Sequence, residues 1–196
     1  MADAEYGDLS RLGGVVERLE ARVKELEARE AIRDVLGRYC RAIDRLDHEL
    51  LMSCYHPDAV DEHGFFTSHS SKEFADLAIP SMESSFERSF YSLGTILIKV
   101  DGDQAISESY CISPKILREP DEEGRKHMRI GGVRFLDRFE YRNGEWRIAY
   151  RRLVGEWGIF HPTPTRTYQS FKIPPDENSP SLGLRDRTDF SYELGM

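Results

Sequence analysis

The sequence predicts a single domain of the α+β class, in which helices come first and antiparallel strands follow. Apolar residues recur at helical spacing up to Leu46, whereas strand-like segments separated by turn signals fill most of residues 92–155. Helices that precede a run of strands are typical of α+β domains. The chain has 196 residues, which is enough for one domain with a sizeable buried core.

Composition narrows the possible partners. The formal net charge is −8, and an acidic chain without clustered cations is poorly suited to bind nucleic acid. No apolar run approaches the ~20 residues that span a membrane, and the first ten residues lack the regions of a signal peptide. The sparse cysteines, Cys40, Cys54 and Cys111, are typical of buried thiols in a reducing compartment. We therefore expect a cytoplasmic protein that binds neither nucleic acid nor membrane.

Residues 1–28 are predicted to form a helical extension. Charged residues separate its apolar positions, and Gly13-Gly14 weakens its start by about 1 kcal/mol per glycine relative to alanine. The apolar positions are Leu12, Val15, Val16, Leu19, Val23 and Leu26. This stripe is short for a sustained coiled coil, and the helix could be separate from the next one or continuous with it. We expect it to pack on the domain or on a neighbouring subunit.

The main domain is predicted to span residues 29–157, and residues 30–63 organise it. This stretch opens as an amphipathic helix with one apolar face. That face consists of Ile32, Val35, Leu36, Tyr39, Ile43 and Leu46. Asp47 is a good N-cap for a second, short helix, which Pro57-Asp58 ends. An extended run begins at Ala59 and predicts the first strand.

The rest of the domain alternates one helical region with several strands. Residues 71–90 are predicted to be helical on either side of Pro80, with Ser71 as the cap. Asp101-Gly102 and Asn143-Gly144 are strong hairpin signals. Gly131-Gly132 predicts a bulge or bend, which could curve the sheet enough to close a core.

The tail, residues 158–196, is proline-rich and poorly periodic. These features predict no second domain there. We expect the tail to wrap the domain, to cover a pocket or to reach a neighbouring subunit.

Three segments carry a resemblance to a known family. They are RYCRAIDRLDHELLMSCYHPDAV at residues 38–60, VDGDQA at residues 100–105 and DRFEYRNGEWRIAYRR at residues 137–152. Across residues 28–155 the chain resembles the SnoaL-like branch of the NTF2-like superfamily. The resemblance implies a cone, in which a strongly curved antiparallel or mixed sheet wraps a long N-terminal helix and leaves a pocket open at one end. It also implies a homotrimer or homodimer.

The first candidate catalytic residues are Tyr39 and Asp44. A partly buried acid has a raised pKa, which suits general acid–base work, and the alternative is a core tyrosine with a helix-end acid. Five residues on an ideal helix correspond to a rotation of about 500°, so the two side chains point ~140° apart unless the helix ends or bends. The resemblance implies a functional role, because SnoaL-like dehydratases and dehydrochlorinases carry an acid matching Asp44, and several carry a tyrosine matching Tyr39.

Tyr91 and His63 are the next candidates. In family members with an Asp–His dyad, the histidine precedes a segment that resembles Leu93-Gly94-Thr95, and here Tyr91 occupies its place. Tyrosine has an unperturbed pKa near 10 and is a poor base, so it could relay a proton or simply pack on the pocket wall. His63 could replace the missing histidine if the first strand runs along the pocket, and otherwise it is a loop histidine.

Arg151 matches a position where family lyases place a pocket arginine. It could hold an anionic leaving group or a phenolate, or it could lie on a solvated face. Because Trp146 and Ile148 share the opposite face of a regular strand, Arg151 reaches the cavity only if the strand is irregular. The candidate substrate-binding residues are Glu108 and Tyr110, which share a face with Ile106, and Phe90, which shares an apolar face with Met82 and Phe86.

Missing motifs restrict the chemistry further. The chain has no glycine-rich phosphate loop and no nucleophile elbow. Asp61 and His63 share a face of an extended strand, but nothing brings them a third metal ligand. The resulting hypothesis is a lyase without cofactor or metal that acts on a small hydrophobic, aromatic alcohol.

The resemblance leaves several reactions open. It implies a dehydratase first, and it also allows a lyase that releases an aldehyde from lignin-derived aromatics. One alternative is an isomerase resembling ketosteroid isomerase. Another is a non-catalytic ligand binder, or a subunit like the small subunit of ring-hydroxylating dioxygenases.

Overall fold

In the computed structural model, which describes residues 2–162 and 183–195, one uninterrupted helix, α1, runs from Ala2 to Arg45. The predicted extension and the predicted central helix are therefore one element. The helix ends where Leu46 adopts a positive φ of 55°, a conformation that no longer continues the helix. Asp47 then caps the next helix, as predicted, because its side chain accepts a hydrogen bond of 3.1 Å from the Leu50 backbone N–H.

Among the residues that the structure describes, two further helices and seven strands complete the domain, followed by a 3₁₀ turn. The first half holds α2 (His48–Ser53), β1 (Tyr55–Glu62), β2 (Thr67–Ser68) and α3 (Ser71–Ser85). The second half holds β3 (Phe86–Ser89), β4 (Ser92–Asp101), β5 (Gln104–Leu117), β6 (His127–Arg142) and β7 (Glu145–Pro162). The 3₁₀ turn covers Phe190–Tyr192.

The strands form one mixed sheet with the order β2-β1-β7-β6-β5-β3, and β4 also pairs with β5. β1 pairs in parallel with β7, and the other neighbours are antiparallel. The sheet curls strongly around the long helix, so the predicted α+β cone is confirmed.

Two irregularities between β6 and β7 help the sheet to curve. The pairing shifts between Gly132 and Val133, which confirms the irregularity predicted at Gly131-Gly132. Gly132 must be a glycine here, because an added Cβ would lie 2.3 Å from the Trp157 side chain. The second shift follows the pair Phe139–Ile148 and leaves Ala149 without a cross-strand partner. A residue inserted into one strand bends that strand and turns the following side chains to the other face.

The core lies between the second half of α1, helix α3 and the inner face of the sheet. Its largest buried side chains include Ile32, Leu36, Tyr39, Phe74, Phe135, Phe139 and Ile148. Fully burying an aliphatic or aromatic side chain of this size contributes about 1.5–3 kcal/mol to folding. The described residues of the two termini take different places: residues 12–26 of α1 expose their apolar side chains, and residues 183–195 pack on the domain.

Several boundaries differ from the predictions. The cap of α3 is Ser70, whose Oγ accepts a hydrogen bond of 3.0 Å from Glu73 N–H, so the assignment to Ser71 is wrong. Residues 86–89 form β3 rather than the end of a helix, because they pair with β5. β7 continues to Pro162, five residues beyond the predicted end of the main domain at residue 157.

The exposed apolar stripe on α1 corrects one further expectation. The extension does not pack on its own domain, since its apolar side chains from Leu12 to Leu26 remain solvent-exposed. Packing on a neighbouring subunit stays a prediction. No helix in the described part of the chain is long and apolar enough to cross a membrane.

Candidate functional site

Asp44 lies in the last turn of α1 and is held by the segment that joins β3 to β4. Its carboxylate accepts hydrogen bonds of 2.9 Å from the Ser89 hydroxyl and 2.9 Å from the Tyr91 backbone N–H. Burial raises the pKa of Asp44 above its ordinary value, although these two hydrogen bonds oppose the rise. Asp44 is therefore an oriented, half-buried acid.

A lysine that the sequence reasoning missed lies beside this acid. The Lys115 ammonium is 4.6 Å from the centre of the Tyr91 ring and donates a 2.8 Å hydrogen bond to the Ser113 hydroxyl. Burial, with the neighbouring Arg129, lowers the pKa of Lys115 to about 8, while Asp44 opposes that fall. We call Asp44, Ser89, Tyr91, Ser113 and Lys115 the mouth cluster. One signal could have found Lys115, since it continues the alternation of Cys111 and Ser113 along β5.

Tyr39 does not join the mouth cluster by any direct hydrogen bond or ring contact. Its buried ring packs edge-on against Phe135 at 5.4 Å and lies 4.1 Å from the Arg151 guanidinium carbon. Helix α1 stays regular through Asp44, so Tyr39 and Asp44 point to different neighbours, as their spacing predicted. Burial raises the pKa of Tyr39 well above its ordinary value.

Arg151 reaches the interior through the unpaired residue Ala149, which supplies the strand irregularity that the sequence required. The guanidinium is fully buried and binds Asp137 in a two-pronged ion pair, at 2.7 and 2.9 Å. Its third nitrogen, Nη1, is buried and has no hydrogen-bond partner among the described residues. Two of the three guanidinium nitrogens of Arg151 thus donate hydrogen bonds to Asp137 inside the protein.

His63 lies beyond the end of β1 and is oriented by a buried acid. Its Nδ1 is 2.8 Å from Oδ1 of Asp61, and the Tyr55 hydroxyl donates a 2.7 Å hydrogen bond to the other oxygen of Asp61. The imidazole stacks on Phe66 and packs at an angle against Phe74, with 19% of its side chain exposed. The structure thus forms an Asp–His pair, but with Asp61 rather than with Asp44.

The candidates therefore fall into two groups. Asp44 and Tyr91 belong to the mouth cluster. The second group, which we call the buried network, consists of Tyr39, Tyr55, Asp61, His63, Asp137 and Arg151. The thiols of Cys40 and Cys111 lie between the two groups, because both interact electrostatically with Asp44 and with Arg151.

The expectation that Glu108 and Tyr110 line the pocket is wrong. They lie on the outer face of the sheet, where Arg134 forms an ion pair of 2.8 Å with Glu108. Tyr110 is 46% exposed. The inner positions of β5 hold small residues instead. The inner residues are Ala105, Ser107, Ser109, Cys111 and Ser113.

Phe90, the third predicted substrate-binding residue, lies next to the mouth cluster. It is 63% exposed, and its backbone N–H donates to the Pro114 carbonyl at 3.0 Å. This position allows contact with a substrate that enters beside Tyr91.

The C-terminal segment, residues 183–195, packs on its own domain beside the mouth cluster. Arg185 donates hydrogen bonds of 3.2 Å to the Asp44 carbonyl and to the Ser89 hydroxyl. The Tyr192 hydroxyl donates a 2.7 Å hydrogen bond to Asp47, and the Arg41 guanidinium lies 4.5 Å from the Tyr192 ring. Among the outcomes predicted for the tail, residues 183–195 thus cover the mouth, whereas residues 163–182 lie outside the described part.

We expect Tyr192→Phe to loosen this segment without unfolding the domain. A hydrogen bond to a charged group contributes about 1.5–3 kcal/mol, so its loss should raise the open population of the segment about 10-fold or more. Tryptic cleavage at Arg187, followed by mass spectrometry, should accelerate by the same factor. Tyr141→Phe removes a hydroxyl far from this segment and should leave the rate unchanged. Equal rates in wild type and Tyr192→Phe would contradict the covering role.

Two surface cavities flank the ends of the cone. A cavity of about 510 Å³ adjoins the mouth cluster, and Arg129 lies in its wall with Phe86 and Phe160. A larger cavity, about 800 Å³, lies at the opposite end between α1 and the hairpin turns at residues 101–103 and 144–147. We assign the site to the mouth, because a half-buried acid and a lysine with a lowered pKa meet there. Among the residues described, no three metal-binding side chains converge.

Comparisons with known proteins agree with this fold. The family model for the SnoaL-like domain matches residues 24–152. The crystal structure of LinA superposes with a TM-score of 0.63 at 21% identity, over 73% of this chain and 94% of that one.

Two further solved structures are similar. A type 2 hexachlorocyclohexane dehydrochlorinase, also LinA, has a TM-score of 0.63 at 17% identity, over 73% of this chain and 93% of that one. A scytalone dehydratase-like protein from Novosphingobium aromaticivorans has a TM-score of 0.59 at 15% identity, over 72% and 95% of the two chains. At these identities the structural likeness establishes the fold.

Proposed function

Because this chain belongs to the SnoaL-like domain family, we propose that it is a lyase that uses no cofactor. Its proposed substrate is a small hydrophobic, aromatic alcohol, from which it eliminates a small leaving group. The observation that carries the proposal is the half-buried Asp44 carboxylate, oriented by two hydrogen bonds and placed near the Lys115 ammonium. Dehydrochlorinases and dehydratase-like proteins with the same fold support this reaction class.

The proposed chemistry assigns opposite roles to Asp44 and Lys115. Asp44 takes a proton from the substrate carbon, and the electron pair of that C–H bond forms the new double bond. The C–O bond breaks, and Lys115 gives a proton to the departing oxygen, so water leaves. The raised pKa of Asp44 and the lowered pKa of Lys115 bring the base and the acid closer to neutral pH, which favours proton transfer. The proton on Asp44 then returns to Lys115, which restores the starting state.

Tyr91 and the buried network have supporting roles in this proposal. The Tyr91 ring packs against the Lys115 ammonium and positions it. In this proposal Tyr39 and His63 are relay or orienting groups of the buried network, and Arg151, 4.1 Å from the Tyr39 ring, is an electrostatic anchor that favours a developing anion. Loss of formaldehyde instead of water would require the same base to take a hydroxyl proton. The C–O bond then becomes C=O as the C–C bond breaks, and the carbon that keeps the electron pair takes a proton from Lys115.

The proposal can be tested by incubating chelator-treated protein with a panel of aromatic and alicyclic alcohols. We expect a new conjugated ultraviolet chromophore, together with a product mass reduced by water or by formaldehyde. A shifted chromophore with unchanged mass would replace the lyase by a proton-transferring isomerase. Activity that chelation abolishes would overturn the cofactor-independent mechanism, and inactivity across the panel would favour the binding or subunit roles.

We also propose that the protein forms a homodimer or homotrimer. Exposed apolar side chains, which commonly mark protein interfaces, lie on the first half of α1 and on the outer face of the sheet. Those on the sheet include Leu97, Ile106, Tyr110 and Ile112.

A further inference from the structure

An unusual set of positive charges surrounds the mouth of this acidic protein. The set consists of Arg88, Lys115, Arg118, Arg129 and Arg185. None of the five forms an ion pair with a carboxylate among the residues that the structure describes. Three of them donate to backbone carbonyls instead: Arg88 to Gly183, Arg118 to Glu83, and Arg185 to Asp44 and Phe86. Asp44 is the nearby acid that acts on Lys115 and Arg185.

Two of these cations are neighbours on adjacent strands of the sheet. Lys115 and Arg129 are directly paired residues on the antiparallel strands β5 and β6, so their side chains share the inner face. Burial is the largest cause of the lowered pKa of Lys115, and the charge of Arg129 lowers it further. Two like charges opposite each other are unfavourable unless an anion lies between them.

Aromatic rings border the same place. Phe160 pairs with Arg129 across β6 and β7, and Phe86 lies within 5.7 Å of the Lys115 ammonium. Phe86, Phe160 and Arg129 line the 510 Å³ cavity. Gly131 and Gly158 keep the neighbouring inner positions free of side chains.

We infer that the substrate is a small aromatic carboxylate, whose anionic group binds the Arg129 guanidinium beside Lys115 while its ring lies between Phe86 and Phe160. The planar guanidinium can bind both oxygens of a carboxylate. This inference names the substrate class of the proposed lyase and rests on that proposal. The bound carboxylate directs the remainder of the molecule toward Asp44.

Binding of two matched probes tests the inference. Isothermal titration with benzoate and with benzyl alcohol compares an anionic and a neutral ligand of similar size. We expect benzoate to bind at least ~10-fold more tightly, and Arg129→Gln to abolish that preference without weakening benzyl alcohol binding. Arg138→Gln is the matched control, because Arg138 lies on the same strand but on its outer face, stacked on Tyr150. Equal affinities for the two probes, or equal effects of the two variants, would overturn the inference.

The pH dependence of benzoate affinity tests the role of Lys115 independently. Asp44, Tyr91, Cys111 and Arg129 are the titratable or charged groups that act on Lys115. Because the pKa of Lys115 is about 8, benzoate affinity should fall as pH rises from 7 to 9, and Lys115→Gln should remove that fall. Benzoate binding is measured without turnover. The carboxylate inference can therefore fail while the lyase proposal at Asp44 holds, and the lyase proposal can fail while benzoate still binds.

A second inference rests on the exposed half of α1. The residues Leu12, Val16, Leu19, Val23 and Leu26 follow one another at steps of four and three, and each is between 50% and 64% exposed. This is the a/d spacing of a coiled coil. Valine occupies the a positions and leucine the d positions, a combination that favours parallel two-stranded assemblies. The stripe is short, but its helix does not have to form alone, because α1 continues without interruption into the packed core.

The charged residues beside the stripe also favour a parallel pair of identical helices. Arg22 lies at a g position and Glu27 at the e position of the next heptad, and neither forms an ion pair within the described chain. In a parallel dimer these two positions meet across the interface, so each Arg22 faces the partner's Glu27. An antiparallel pair would instead place e positions together, which brings Glu20 near another glutamate.

We propose that the exposed half of α1 forms a parallel two-stranded coiled coil with a second copy of this chain. Sedimentation equilibrium should give a dimer that Leu19→Glu weakens at least ~10-fold, whereas Glu17→Gln, outside the stripe, leaves it intact. Arg22→Glu should also weaken the dimer, and adding Glu27→Arg should restore it. Mild oxidation of Val16→Cys should then crosslink two chains, because the three native cysteines are buried. An unchanged dimer in Leu19→Glu, a trimer, or absence of the crosslink would overturn this proposal.

Discussion

Replacing Asp44 with asparagine is expected to lower kcat by about 10²- to 10⁴-fold, the usual contribution of a positioned general base. Asparagine has the same shape but cannot accept the substrate proton. Folding should remain intact, because burial disfavours the charged form of Asp44 and a neutral amide removes that penalty. Steady-state kinetics and urea unfolding, measured on the same preparation, separate the two effects. Full activity in Asp44→Asn would contradict the proposed mechanism.

Ser89→Ala is the matched control for this variant. It keeps the carboxylate but removes the hydroxyl that donates to it at 2.9 Å. Because that hydrogen bond lowers the pKa of Asp44, its loss raises the pKa further. The carboxylate is then protonated at a higher pH, so the acidic limb of the rate profile should move to higher pH while the plateau changes little. A shift to lower pH would show that another group carries that limb.

Arg151→Met should cause the largest loss of stability, about 3–5 kcal/mol in the free energy of unfolding at neutral pH. The reason is the buried Asp137 carboxylate, which loses both of its hydrogen bonds from the guanidinium. The unpaired carboxyl would have a raised pKa, so the deficit should shrink as pH falls and the group becomes neutral. Urea unfolding curves at several pH values measure the size and the direction of this effect.

The neighbouring residue offers an internal control. Arg152 binds Glu62 at the exposed surface, where solvent screens the pair. Arg152→Met should therefore cost far less than Arg151→Met. The double variant Asp137→Leu/Arg151→Met should recover much of the loss, because no unpaired charge remains. Equal costs for the two single variants would show that Arg151 contributes no more than a surface arginine.

Local sequence patterns predicted much of the fold. The spacing of Ile32, Leu36 and Ile43 defined the buried face of α1, Asp47 identified the cap of α2, and Gly131-Gly132 marked a real irregularity. Each of these features depends on neighbours within a few residues. Such signals are expressed directly in the sequence.

The residues of the candidate site were harder to predict from local sequence patterns. Alternation in β5 separated its two faces correctly, but the face with larger side chains was taken as the interior. Ser107 and Ser109 are buried on the inner face of β5, a fact that only the packing reveals. Nothing in the sequence identifies Asp137 as the partner of Arg151. The shared strand face of Asp61 and His63 suggests a metal site, whereas the structure joins them by a hydrogen bond. Lys115 likewise becomes significant only through Tyr91, which lies in the segment between β3 and β4.

The parallel pairing of β1 with β7 has a consequence for how the chain folds during synthesis. Tyr55 lies beside Ile148, about ninety residues later in the chain, so this contact closes slowly compared with the hairpins of the second half. During translation, β1 and α3 emerge long before the strand that covers their edge. An exposed strand edge favours association with other chains. Substitutions that weaken β7 should therefore reduce the yield of folded protein in cells before they reduce the stability of the purified protein.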